Sequence, residues 1–193
     1  MQDKFSIKKQ QKFAKLTKDK NVLELGGGCG DFVSLCKPIA KSIISIDLQP
    51  TGAGVIKGEI IKFLKNNKKI FDVIFARHII EHFTPDEIIF IFNRCYKFLR
   101  KEGLLILIFP NLKNINVATF NFWNDITHKR PYTSQVLIEL LEKTGFTIIK
   151  NGEDKDSWDN SILKNFIRKI RGLITGLPYQ APDYFVIAKK ILT

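Results

Sequence analysis

The sequence predicts an α/β fold, an open and mostly parallel sheet wound with helices on both faces, and three observations predict it. Short apolar runs alternate with helical segments from residue 21 to 110, the pattern of a parallel sheet. One such run, Val22 to Leu25, stops at a cluster of four glycines, Gly26, Gly27, Gly28 and Gly30, which reads as strand, tight turn, helix. At 193 residues the chain suits one domain with a sizeable core, so no second globular domain is expected.

In chain order, residues 1 to 20 form a basic N-terminal helix. Seven lysines lie between 3 and 20, with Phe5, Phe13 and Leu16 as apolar anchors. The helix is expected at the domain edge with its charges in water; a lid over the site is the sharper alternative. Residues 21 to 193 form the single domain. Phe32 to Ala40 reads as a helix shortened by Pro38, and Ser42 to Ile46 as a β-branched strand ending at Asp47. Gly54 to Lys57 is a short strand, and Gly58-Glu59 opens a helix to Asn67. Phe71 to Ala76 is a buried strand followed by a helix from Pro85 to Arg100, with Gly103 as its C-terminal glycine. Gly103 to Phe109 reads as a central strand.

Residues 111 to 132 are a long polar-aromatic loop, expected to stand over the carboxyl edge of the sheet as a lid or binding loop. Phe146 to Asn151 and Asp183 to Lys190 are the last strands. Between them, about 152–182, lies an insertion in which Ile162, Phe166, Ile170 and Leu177 share helical spacing with Lys164, Arg168, Lys169 and Arg171 between them. This basic amphipathic helix either covers the sheet edge or attaches to an anionic membrane surface through 160–177.

The net charge of +12 favours an anionic partner, nucleic acid, an acidic substrate or a membrane surface, although a Lys-, Ile- and Asn-rich composition also produces it. No apolar run approaches the ~18 residues of a spanning helix, and lysines follow the start, so a cytoplasmic protein is expected. Cys29, Cys36 and Cys95 have no C-x-x-C spacing, which suggests reduced thiols.

Glycines let the turn adopt φ > 0 and bring peptide N–H groups close to a bound group, although a tight turn without a ligand has the same composition. A dinucleotide fingerprint beginning at Gly26 needs a third glycine where Asp31 stands. The pattern present is acidic-x-G-x-G-x-G, Glu24 to Gly30. It resembles the first motif of the class I S-adenosylmethionine-dependent methyltransferases. The segment FDVIFARHIIEHF, residues 71 to 83, resembles their fourth-strand motif in enzymes acting on small molecules and glycans.

This resemblance implies a Rossmann-like sheet of about seven strands, with the last two forming an antiparallel pair at one edge. S-adenosylmethionine is the implied cofactor. Glu24, Gly26, Gly28, Gly30, Asp47, Leu48, Glu59, Arg77 and His78 are its implied contacts, Asp47 at the ribose and Glu59 beside the adenine. His82 is a candidate for the active site or for tying down its loop.

Asp125-Ile126-Thr127-His128 resembles the Asp-x-Thr-His segment of methyltransferases from cell-surface glycan pathways. His128 assisted by Asp125 is the expected general base for a hydroxyl acceptor, the alternative being loop scaffolding. A carboxylate acceptor needs no base. His78 to His82 formally matches H-x-x-E-H, but that zinc motif needs a long helix and this segment follows a strand directly, so no metal is expected. The implied function is methyl transfer to a small molecule or glycan. An RNA methyltransferase, supported by charge alone, and a non-catalytic cofactor-binding module are the alternatives.

Overall fold

The apolar runs form one seven-stranded sheet in the computed structural model, which describes residues 4–157, 166, 167, 170, 172 and 180–191. Its strands are β1 (Asn21–Leu25), β2 (Ser42–Asp47), β3 (Val55–Lys57), β4 (Phe71–Arg77), β5 (Leu99–Pro110), β6 (Phe146–Glu153) and β7 (Asp183–Lys190), in the order β3-β2-β1-β4-β5-β7-β6. The first five run parallel, and β7 runs antiparallel to both β5 and β6. The antiparallel pair thus stands at one edge, as the resemblance implies. Growth of the sheet reverses between β1 and β4, a switch point at which a ligand crevice opens beyond the strand carboxyl ends.

Among the described residues the sheet is flanked by α1 (Lys4–Ala14), α2 (Asp31–Cys36), α3 (Ile60–Asn66), α4 (Pro85–Phe98), α5 (Ile115–Thr119) and α6 (Ser134–Lys143). Alternation along the strands divides the core between two faces. Ile74, Ala76, Leu105 and Leu107 meet Leu64 of α3, Ile88 and Phe92 of α4 and Leu141 of α6. Val73, Phe75 and Ile106 meet Phe13 of α1 and Phe32 and Cys36 of α2. The Phe32 and Phe75 rings stack at 3.7 Å.

Several elements differ from their sequence reading. Helix α1, expected at the domain edge with its charges in water, packs on a sheet face: Phe13 is buried against Phe75 and Phe185, and Lys12 is bonded to Asp154 and Asp156, while Leu16 stays exposed. Helix α4 ends at Phe98, and Leu99 already pairs with Phe71 in the sheet. The register then shifts before Val73 meets Leu104, and Glu102 takes the left-handed φ of 64°. Gly103 is therefore no helix cap. A Cβ there would come within 2.9 Å of the Arg100 carbonyl and 3.2 Å of the Asp72 carbonyl, so close backbone approach demands glycine.

The segment 111–132 is more ordered than a loop. Asn114 caps α5 by accepting from the N–H groups of Asn116 and Val117. The side-chain amides of Asn111 and Asn114 donate to the carbonyls of Ala181 and Gln180, which ties the segment to the chain entering β7. A 3-10 turn, Asn121–Asn124, follows. The basic amphipathic stretch expected at 160–177 lies largely outside the described residues. Among those described, no helix is long and apolar enough to cross a membrane.

Candidate active site

The glycine turn joins β1 to α2 with φ of 82°, 46° and 78° at Gly26, Gly28 and Gly30. A Cβ at Gly28 would meet nothing within 4 Å, so this is the side of the turn a ligand can approach. The turn is held from behind by the loop after β2. Thr51 and Gly52 donate their N–H groups to the Gly28 carbonyl at 3.0 and 3.1 Å. A Cβ on Gly52 would fall 1.9 Å from the Cys29 carbonyl oxygen. The sequence reading passed over Gly52; the Gly52-Ala53-Gly54 run after Pro50 is its signal.

Register places Glu24 opposite Ser45, whose hydroxyl donates to Glu24 Oε2 at 2.6 Å. Burial drives the Glu24 carboxyl up to about 7; the Ser45 bond opposes this, and the Asp47 and Asp31 charges add to it. Asp47, at the carboxyl end of β2, accepts from Gly28 N–H at 2.9 Å through Oδ2 and from Gln49 N–H at 2.8 Å through Oδ1. Each carboxylate oxygen has two lone pairs, so both retain capacity for a ligand hydroxyl. Leu48 beside it is 57% exposed. Glu59 is exposed at the start of α3 without capping it, and borders an open groove of about 620 Å³ with Ile46, Ile56, Gly58 and Phe63. That volume is in the range of small-molecule sites.

At the end of β4 a second group of charges gathers. His78, at the left-handed φ of 49°, has Nδ1 3.3 Å from Glu81 Oε1 and Nε2 3.2 Å from Asp183 Oδ1. Arg77 Nη2 lies 3.9 Å from Asp183 Oδ2. Burial disfavours the imidazolium, but Asp183 and then Glu81 outweigh it and raise His78 to about 9. Burial likewise opposes ionisation of Asp183, which His78 and Arg77 hold below the usual carboxylate range. Both expected cofactor contacts are thus turned toward Asp183. That residue was missed in sequence; its signal is an acidic residue opening the apolar run Tyr184 to Ala188.

The third group joins two distant segments. His82, in the 3-10 turn Ile80–His82, has Nδ1 3.0 Å from Thr127 Oγ1 and 3.2 Å from the Thr127 carbonyl, while the Glu81 carbonyl accepts from the N–H groups of Lys129 and Arg130. His128 Nδ1 donates to the Phe122 carbonyl at 2.6 Å, and its ring lies 4.7 Å from that of His82. Asp125 closes its own turn by accepting from Thr127 N–H and Oγ1 at 2.8 and 2.6 Å. Its other oxygen lies 3.8 Å from His128 Nε2, beyond hydrogen-bond range. His78 and His82 diverge toward Asp183 and Thr127, so they do not form the paired ligands of the zinc motif.

A protein-family model described as a methyltransferase domain matches residues 2–151. No curated protein matches the sequence. The crystal structure of a SAM dependent methyltransferase from Archaeoglobus fulgidus is similar at 25% identity and TM-score 0.77, over 96% of this chain and 93% of that one. The N-methyltransferase NodS from Bradyrhizobium japonicum matches at 14% identity and TM-score 0.65, over 97% of each chain. A Burkholderia thailandensis 1,6-didemethyltoxoflavin-N1-methyltransferase, solved with its acceptor and S-adenosylhomocysteine, matches at 14% identity and TM-score 0.67, over 98% of this chain and 80% of that one.

Proposed function

The chain belongs to the methyltransferase-domain family, and from that premise we propose that it transfers a methyl group from S-adenosylmethionine to a small-molecule or glycan acceptor, a sugar hydroxyl or a carboxylate. The residues present suit the cofactor. The open face of Gly28 admits it, Asp47 keeps lone pairs for the ribose hydroxyls, Leu48 offers an apolar surface, and Glu59 borders a groove of adenine-compatible size. Glu24 and Gly26 to Gly30 shape the turn on which it lies. When bound, S-adenosylmethionine supplies an electrophilic sulfonium methyl.

The rest falls to the protein, which aligns the acceptor oxygen, excludes water and manages its proton. The observation that carries the acceptor reading is the state of His128. Its Nδ1 is committed to the Phe122 carbonyl, so in the neutral ring Nε2 bears a lone pair available to activate a hydroxyl. Asp125 positions the turn that carries His128 by accepting from Thr127. Trp123 and Phe120, both exposed on the same segment, offer aromatic faces to a sugar ring. An anionic membrane surface, contacted through 160–177, is a second partner that the net charge favours, and a cytoplasmic setting suits both.

The test is transfer of isotopically labelled methyl from S-adenosylmethionine to a panel of nucleotide sugars, lipid-linked glycans, small carboxylic acids and RNA. Label in a sugar or small acid is the expected result; label in RNA alone overturns this reading in favour of the RNA methyltransferase. For a hydroxyl acceptor, His128→Ala is expected to lower kcat by about 10²–10⁴-fold while S-adenosylhomocysteine still binds.

A further inference from the structure

We propose that Glu81, His82 and His128 form a binding site for one divalent transition-metal cation, the three protein ligands leaving open positions for the acceptor. Their donor atoms all lie within 4.8 Å of one another. Donors bound at about 2.1 Å stand roughly 3–3.5 Å apart, so a modest side-chain rotation closes the set. The backbone already brings the two segments together, since the Glu81 carbonyl accepts from Lys129 and Arg130.

The tautomers favour ligation. The Thr127 and Phe122 carbonyls can only accept, and the Thr127 hydroxyl donates to Asp125 Oδ1, so Nδ1 is the N–H donor in both histidines. Nε2 of each neutral ring therefore carries a lone pair. A backbone carbonyl fixing the far ring nitrogen is the arrangement found around metal-bound histidines. Glu81 supplies the independent observation: the residue is 1% exposed, Oε1 meets His78, and Oε2 has no hydrogen-bond partner among the described residues. A buried oxygen left so is costly, and a cation satisfies it.

Two imidazoles with one carboxylate suit Mn²⁺, Fe²⁺, Co²⁺ or Zn²⁺ above the all-oxygen preference of Mg²⁺. The expectation of no metal rested on the local motif His78-Glu81-His82, whereas the third donor comes from a remote segment. The role of the cation rests on the methyl-transfer reading. With the cation bound, an acceptor hydroxyl at an open position is more acidic and passes its proton to a water or hydroxide on another open position; His128 acts as the general base only where the cation is absent.

Titration of the chelator-stripped full chain with Co²⁺, followed by visible d–d absorption, tests the site. The expected result is one Co²⁺ per chain, with affinity reduced roughly 100-fold or more in His82→Ala and in His128→Ala, each checked for native circular dichroism. Thr127→Val, which touches no proposed ligand beyond the second nitrogen of His82, is expected to weaken Co²⁺ about 10-fold and keeps the test open where a histidine variant fails to fold. Absence of Co²⁺ binding below about 1 mM, unchanged affinity in all three variants, or a preference for Mg²⁺ overturns the proposal. No cofactor or acceptor enters this measurement, so its failure leaves methyl transfer standing, and failure of methyl transfer leaves the metal result interpretable.

Discussion

Asp47→Ala is expected to weaken S-adenosylhomocysteine binding by about 100-fold or more while the sheet remains folded. Two effects combine. On the proposed assignment the variant loses charge-assisted bonds to the ribose hydroxyls, each worth about 1.5–3 kcal/mol. It also releases the N–H groups of Gly28 and Gln49 that the carboxylate now holds, so the turn that carries the ligand loses its brace. Asp47→Asn retains an oxygen for one of these partners and is expected to fall between wild type and alanine. Isothermal titration of the three proteins measures the series. Equal affinity across it contradicts the assignment of Asp47.

The second large effect is a dependence of stability on pH through Glu24. Burial, the largest cause, lifts its carboxyl to about 7 in the fold, from 4.5. The native state therefore keeps a proton that the unfolded chain releases, and the associated stability, fully present below the unfolded pKa, is lost as pH rises through the folded value. The size is about 3 kcal/mol, from ~1.4 kcal/mol per unit. Urea denaturation between pH 4.5 and 8 is expected to show wild type falling by about that amount relative to Glu24→Gln, whose amide does not titrate. Glutamine retains a carbonyl oxygen for the Ser45 hydroxyl, so the difference isolates the charge. Parallel pH profiles contradict a proton held at Glu24.

Much of the architecture was legible because local patterns carry it. Val22 to Leu25 and Phe71 to Ala76 have strand composition, and glycines after Leu25 permit the left-handed φ values observed at Gly26, Gly28 and Gly30. The seat of α1 was not legible, because spacing shows which residues are apolar but not which face they meet; Phe13 inserts between Phe75 and Phe185. The start of β5 was hidden by Arg100-Lys101-Glu102, polar residues that read as a helix end but occupy a register shift at a strand end.

The site divides in the same way. The turn and Asp47 belong to neighbouring strands and short loops, so their spacing was visible. His78 is governed by Asp183, which comes from a strand inserted late in the chain beside β5. His128 meets His82 because contacts such as those of Glu81 and Thr127 bridge two separate segments. In sequence, His78 and His82 match a zinc motif only formally, since they follow a strand directly; in the fold they point to different partners.

The central claim is that the crevice at the β1/β4 switch point holds S-adenosylmethionine. Its most direct test is calorimetric titration of the purified chain with S-adenosylmethionine and S-adenosylhomocysteine. The account predicts saturable binding of both at one site per chain, with dissociation constants on the order of micromolar and a matching rise in Tm. Absence of heat and of any thermal shift with either ligand would contradict it.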